Sequence, residues 1–163
     1  MMAHARFRQA TPSDAETVLR IKQAAIDGID GAAYDSEQRA AWRPGDDDLP
    51  AFERAIRSDR FDILIAEVDG DPAGYGVLNR DANRIDAIFV RPAHSREGIA
   101  TSLLNHLEAH AQLHGIPELK IVSSLNARPF YQIQNYWEFG TEVRTIDGVD
   151  IEFAIMRKSL DIA

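Results

Sequence analysis

Residues 91–115 read RPAHSREGIATSLLNHLEAHAQLHG, and how this stretch is read decides the fold. A proline and a cluster of polar residues lead to Gly98, and apolar side chains then recur at helical spacing until Gly115 supplies a stop. The pattern predicts a long helix over residues 96–114. Upstream, RIDAIFVRP at 84–92 is an apolar run that Pro92 ends, as expected of a central strand. Strict alternation would put Ile85, Ala87 and Phe89 on one face of that strand and Asp86, Ile88 and Val90 on the other. Downstream, ELKIVSS at 118–124 is a further strand.

Working outward, FDILIAEVDGDPAGYGVLN at 61–79 forms two β-rich runs around the turn chemistry of residues 69–72. The opening sixty residues are helical in character after a short strand at 6–9. A first helix has Ser13 and Glu16 spaced as a capping box and Val18, Leu19, Ile21, Lys22, Ala25 and Ile26 as its stripe. DSEQRAAW at 35–42 and DLPAFERAIRS at 48–58 give two more, the latter with Pro50 in its first turn. NARPFYQIQNYW at 126–137 reads as a short helix, and residues 139–158 as two strands around Asp147 and Gly148. The order predicts one mixed α/β (α+β) domain over residues 1–163, with antiparallel hairpins.

Composition narrows the function. The chain has 163 residues, 45% apolar and 27% charged, with a formal net charge of -8 and no cysteine. This is enough chain for one well-buried core. Thiolate metal sites, disulfides and cysteine nucleophiles are excluded, and scattered Lys and Arg argue against a nucleic-acid partner. The first residues lack the apolar run of a signal peptide, and no stretch approaches a membrane span, so a cytoplasmic protein without a membrane partner is expected. Residues 27–53 carry eight acidic against two basic side chains, which suits a solvated face or a cationic partner. His106, His110 and His114 recur every four residues, but no carboxylate-rich motif accompanies them and no metal is expected.

The loop before the long helix is the first candidate site. A helix N-terminus presents free N–H groups and the positive end of the backbone dipole, which suits a phosphate, and Gly98 permits close approach. The segment has neither the Gly-Lys-Ser/Thr ending of a P-loop nor the glycines of a Rossmann fingerprint.

The string FVRPAHSREGIATSLLNHLEAHAQLHG, followed by LKIVSS and NARPFYQIQNYWEFG, resembles the GNAT superfamily of acyl-CoA-dependent N-acetyltransferases. Val90, Pro92, Gly98, Ala100, Phe130 and Tyr131 fall on that family's motif positions. Ser95 stands where the family most often has Arg or Gln, and Arg96 and Asn135 stand where it commonly has glycine. The resemblance implies a mostly antiparallel central sheet flanked by helices, with one splayed pair of parallel strands at a CoA cleft. It implies acetyl-CoA as co-substrate, with Ile88, Phe89 and Val90 offering backbone groups to the pantetheine arm. Ser95, Arg96, Glu97, Gly98, Ile99, Ala100 and Thr101 would hold the pyrophosphate, and Asn126 would either bond the cofactor or cap a helix.

The chemistry implied is transfer of an acetyl group to a primary amine of a small molecule, peptide or protein. Tyr131 is the candidate acid for the leaving thiol, set against a purely aromatic packing role with Phe130. Asp86, a carboxylate in an otherwise apolar strand, is the candidate base, directly or through water; its alternative is a solvent-facing pair with Arg84. Tyr34, Trp42 and Tyr75 are candidate lining residues for the acceptor pocket. Two other readings stay open: a non-catalytic acyl-CoA-binding or regulatory module, and an interaction domain docking a basic partner. The closing hairpin alternates well enough to suggest a homodimer edge.

Overall fold

A computed structural model describes residues 5–160. One seven-stranded sheet organises the chain, with strand order β1-β2-β3-β4-β5-β7-β6. The strands are β1 (Ala5–Gln9), β2 (Phe61–Val68), β3 (Asp71–Asn79), β4 (Arg84–Val90), β5 (Glu118–Ser124), β6 (Trp137–Ile146) and β7 (Val149–Ser159). The helices are α1 (Ala15–Asp27), α2 (Ser36–Trp42), α3 (Leu49–Arg57), α4 (Ile99–Leu113) and α5 (Arg128–Ile133). All neighbouring strands are antiparallel except β4 and β5, whose parallel pairing is limited to Arg84↔Lys120 and Ile85↔Ile121. Beyond Ile85 the two strands part, as the resemblance implies.

α4 is amphipathic for a simple reason: Ile99, Leu103, Leu104, Leu107 and Ala111 recur along one side and are all buried against the sheet. Each such leucine stabilises the fold by about 1.5–3 kcal/mol. α1 and α3 cover the opposite face, where Val18 and Ile21 pack on Ile63, Ile65 and Tyr75. The hairpin between β6 and β7 turns on Asp147 and Gly148, both at positive φ (49° and 76°), as a tight two-residue turn requires.

Three local expectations are corrected. The cap before α1 is made by Thr11 and Asp14, not Ser13 and Glu16: the Asp14 carboxylate accepts the Thr11 N–H at 2.7 Å, because a 3₁₀ turn over Pro12–Asp14 precedes the α-helix. Glu16 instead pairs with Arg20 one turn on. The long helix begins at Ile99, not at residue 96, because Arg96 (φ 65°) and Gly98 (φ 79°) are left-handed.

The third correction reorients the candidate base. Val77 pairs with Ala87 and Leu78 with Ile85, so Asp86 is an extra residue with no register partner on β3. This β-bulge reverses the alternation. Ile85 lies with Ile88 and Val90 on the α4 face, while Ala87 and Phe89 lie on the face of α1 and α3. Among the described residues, no helix is long and apolar enough to cross a membrane.

Candidate active site

Where β4 and β5 part, a cavity of about 150 Å³ is lined by both strands, with Lys22, Trp42, Ala127, Tyr131, Arg144, Ile146 and Phe153 completing its walls. Asp86, Ile88, Phe89 and Tyr131 therefore meet in one place. A second recess at the far end of β4 is lined by Val90, Ser95, Arg96, Gly98, Ile99, Ala100, Thr101 and Phe130. Strand edge, loop and first helical turn thus form one continuous run of the chain.

The loop has the features that a pyrophosphate needs. Ser102 N–H makes the first backbone bond of the helix, to Gly98 C=O at 3.1 Å, and the amides of residues 96–101 have no acceptor among the described residues. A Cβ on Gly98 would meet nothing within 4 Å, so the space above it is open. Of these residues, Arg96, Gly98, Ile99, Ala100 and Thr101 line the open recess, and unclaimed main-chain N–H groups so placed suit an anion. Glu97 is the member of the set whose side chain is occupied: its Oε2 lies 3.1 Å from His94 Nδ1. His94 Nε2 in turn lies 2.8 Å from Asp71 Oδ2, tying the loop to the start of β3. The imidazole is raised above its ordinary value by these carboxylates, Asp71 foremost, and Asp71 is lowered by the imidazole.

Tyr131 sits at the cavity wall, 5% exposed, between Phe130 and Tyr136. Its hydroxyl has no hydrogen-bond partner among the described residues, and burial pushes the phenol well above its ordinary range. It is a neutral donor awaiting an acceptor. Behind it Tyr136 donates to Glu108 Oε2 at 2.7 Å, and Lys158 Nζ lies 3.0 Å from the same oxygen.

The Asp86 carboxylate is held on both oxygens: Arg84 Nε donates to Oδ1, and Asn79 Nδ2 donates to Oδ2 at 3.2 Å. The sequence alternative of a pair with Arg84 is therefore realised, and it coexists with a place on the cavity wall.

Of the three aromatic lining candidates, Trp42 reaches the cavity, packed among Tyr34, Phe89 and Phe153. Tyr34 does not. It is 2% exposed, donates to Glu152 C=O at 2.6 Å and accepts the Leu125 N–H at 3.0 Å, so it ties the turn before α2 to β7 and to the turn after β5. Tyr75 is buried behind Phe89 and lines a separate cavity under α3. Asn126 is exposed in the 3₁₀ turn Leu125–Ala127 and makes no cap hydrogen bond to α5.

Lys22 is the residue that sequence reading missed. Its spacing places it in the apolar stripe of α1, yet it lies against the Phe89 ring, with Nζ 5.4 Å from the centroid, and lines the cavity beside Asp86. Burial pulls its ammonium below the ordinary lysine range, opposed by the charges of Asp48 and Asp86. A lysine inside an apolar stripe was the available signal.

Comparison with known proteins identifies the family and the fold. The family model for the acetyltransferase (GNAT) domain matches residues 32–160. The uncharacterized N-acetyltransferase YafP of Escherichia coli K12 is 26% identical over 131 residues, 80% of each chain. A crystal structure of a GCN5-related N-acetyltransferase from Rhodopseudomonas palustris is similar at a TM-score of 0.90 and 29% identity, over 98% of both chains. The PaiA N-acetyltransferase of Thermoplasma acidophilum, solved in complex with coenzyme A, shares the fold at a TM-score of 0.75 and 20% identity, over 96% of this chain and 99% of that one.

Proposed function

The chain belongs to the GNAT family of N-acetyltransferases, and from that premise we propose that it moves an acetyl group from acetyl-CoA to a primary amine by direct attack in a ternary complex. The observation that carries this reading is the break in β4–β5 pairing after Ile85, which opens a strand edge between the amide cradle and Tyr131.

The bound co-substrate supplies an activated acetyl group and a thiol leaving group. The amides of residues 96–101 bind its pyrophosphate, with Ser95 and Arg96 bordering the cradle. The free edge at Ile88, Phe89 and Val90 takes the pantetheine arm as an added strand would be taken, and one of its N–H groups polarises the carbonyl. The amine nitrogen forms its bond to the carbonyl carbon as the carbon–sulfur bond breaks. The nitrogen's proton passes to Asp86 through water, and Tyr131 gives its proton to the departing sulfur. With Arg84 and Asn79 holding Asp86, the carboxylate is fixed in place rather than free to chase the amine. Much of the acceleration comes from holding both reactants in register.

The reading includes a cytoplasmic setting and a homodimer. β6 lies at the sheet edge with Trp137, Phe139 and Val143 exposed, which supports self-association through that hairpin. A monomeric sedimentation profile at working concentration would remove the dimer.

Calorimetric titration with acetyl-CoA and CoA, on the wild type and on Gly98→Trp, tests the reading. Binding to the wild type that is lost in a folded Gly98→Trp, followed by thiol release with an amine, is the expected result. Binding without acetyl transfer to any amine would leave an acyl-CoA-binding module.

A further inference from the structure

Beneath α3 lies a second cavity of about 230 Å³, and it shares Lys22, Asp86 and Ala87 with the cavity at the splayed strands. Its remaining walls are apolar or aromatic: Val18, Phe52, Ile56, Phe61 and Val77 among them. The proposed reaction does not use this space. An apolar recess opening beside the candidate base is suited to a substituent on the acceptor, not to the acyl donor.

Among the described residues, the polar ends of Lys22 and Tyr75 on these walls have no hydrogen-bond or ion-pair partner. Lys22 has no hydrogen bond or ion pair among the described residues; its ammonium lies over the face of Phe89, 5.4 Å from the ring centroid. Tyr75, 2% exposed, has a hydroxyl with no partner among the described residues. A largely buried ammonium without a counter-ion is costly, and that cost is recovered when an anion arrives to pair with it. Asp48 and Asp86 act on Lys22 only at longer range, and Asp86 is already committed to Arg84 and Asn79.

Resting on the acetyltransferase reading, we infer that the acceptor is an amino acid with an apolar side chain: Lys22 binds its carboxylate, the cavity under α3 takes its side chain, and its amine faces Asp86. The bulge at Asp86 makes this arrangement available, because it turns β4 so that Ala87 borders the side-chain cavity while Phe89 lines the cavity at the splayed strands and the strand edge stays open to the acyl donor.

The test compares phenylalanine and leucine with phenethylamine and isoamylamine, which lack the carboxylate, and with serine, which lacks the apolar side chain. Thiol release is followed with acetyl-CoA, and calorimetry follows phenylalanine binding to CoA-saturated protein. Phenylalanine should exceed phenethylamine and serine by about 100-fold in kcat/KM, since one buried charge pair and one filled apolar pocket are each withdrawn in the comparisons. Lys22→Met, which keeps the stem and removes an unpaired charge, should fold, abolish phenylalanine binding and lose the preference over phenethylamine; Lys22→Arg should keep it. Phenethylamine or serine turned over as well as phenylalanine overturns the inference. Acetyl-CoA binding with no response to phenylalanine or leucine overturns it while leaving the acyl-donor site standing. No acetyl-CoA binding fells the acetyltransferase reading, and this inference with it.

Discussion

His94 bridges Asp71 and Glu97, with Nε2 2.8 Å from Asp71 and Nδ1 3.1 Å from Glu97, so one imidazole joins the start of β3 to the loop that leads into α4. Both contacts suit the protonated ring. Because the imidazole is raised above 6.5 in the folded chain, its stabilising effect is complete below pH 6.5 and is lost as pH rises through the folded value. Asp71 is lowered from 3.8, so its effect is present above that pH and is lost as pH falls through its folded value. The clamp is therefore strongest between those limits, with Arg91 the other charge acting on Asp71. Acetyl-CoA affinity, measured by calorimetry from pH 6 to pH 8.5, should weaken as the loop is released. In His94→Asn that extra slope should vanish, and an unchanged slope would show that the bridge does not govern the cradle.

Arg96 adopts φ 65°, a region where a side chain costs about 1–2 kcal/mol relative to glycine. Arg96→Gly should raise thermal stability, by up to about 1 kcal/mol once glycine's larger unfolded-state entropy is subtracted. If the guanidinium touches a phosphate, acetyl-CoA affinity falls in the same variant that unfolds later. Stability and affinity rising together would mean that the side chain only obstructs the recess.

What the sequence disclosed and what it hid follow from the kind of signal each residue leaves. β5 was read to its ends because turn residues bracket a short apolar run, and the hairpin at Asp147 and Gly148 because few residues accept positive φ. The start of α4 was misplaced because Arg96 and Glu97 are good helix formers, while the left-handed backbone at Arg96 has no compositional mark. The bulge at Asp86 leaves no mark for a related reason: with apolar residues on both faces of β4, shifting the alternation by one residue replaces one apolar set with another. Lys22 was passed over because lysines on helix stripes ordinarily carry their ammonium out to water along an apolar stem. Here Phe89 and the cavity keep it inside. Tyr34, in contrast, sits beside a motif-rich segment yet spends both capacities of its hydroxyl on backbone groups.

Glu108 gathers Tyr136 and Lys158 behind the cavity, with side-chain exposures of 13% for the acid and 23% for the lysine. Removing the acid leaves the ammonium without its counter-ion in a half-buried setting. Glu108→Gln should lower stability by about 2–3 kcal/mol, read as a fall in Tm, with the Lys158→Met double variant recovering part of it. Additive losses in the double variant would mean that the three side chains do not act as one network.

Tyr131→Phe separates packing from chemistry more cleanly than any other single change at the site. The ring packs against Phe130 and Tyr136 at centroid distances of 5.0 and 5.7 Å, and phenylalanine preserves both contacts. The hydroxyl has no partner among the described residues, so removing it strands no buried donor or acceptor, and Tm should hold or rise slightly. Acetyl-CoA binding should stay within about threefold, since the amide cradle and strand edge supply the affinity. Turnover should fall by about 100-fold if the phenol delivers the proton to the leaving sulfur. The fall should lie in kcat rather than KM, because the interaction matters only as the carbon–sulfur bond breaks. Full turnover in a stable, acetyl-CoA-binding Tyr131→Phe would return Tyr131 to a packing role and leave protonation of the thiolate to water in the cleft.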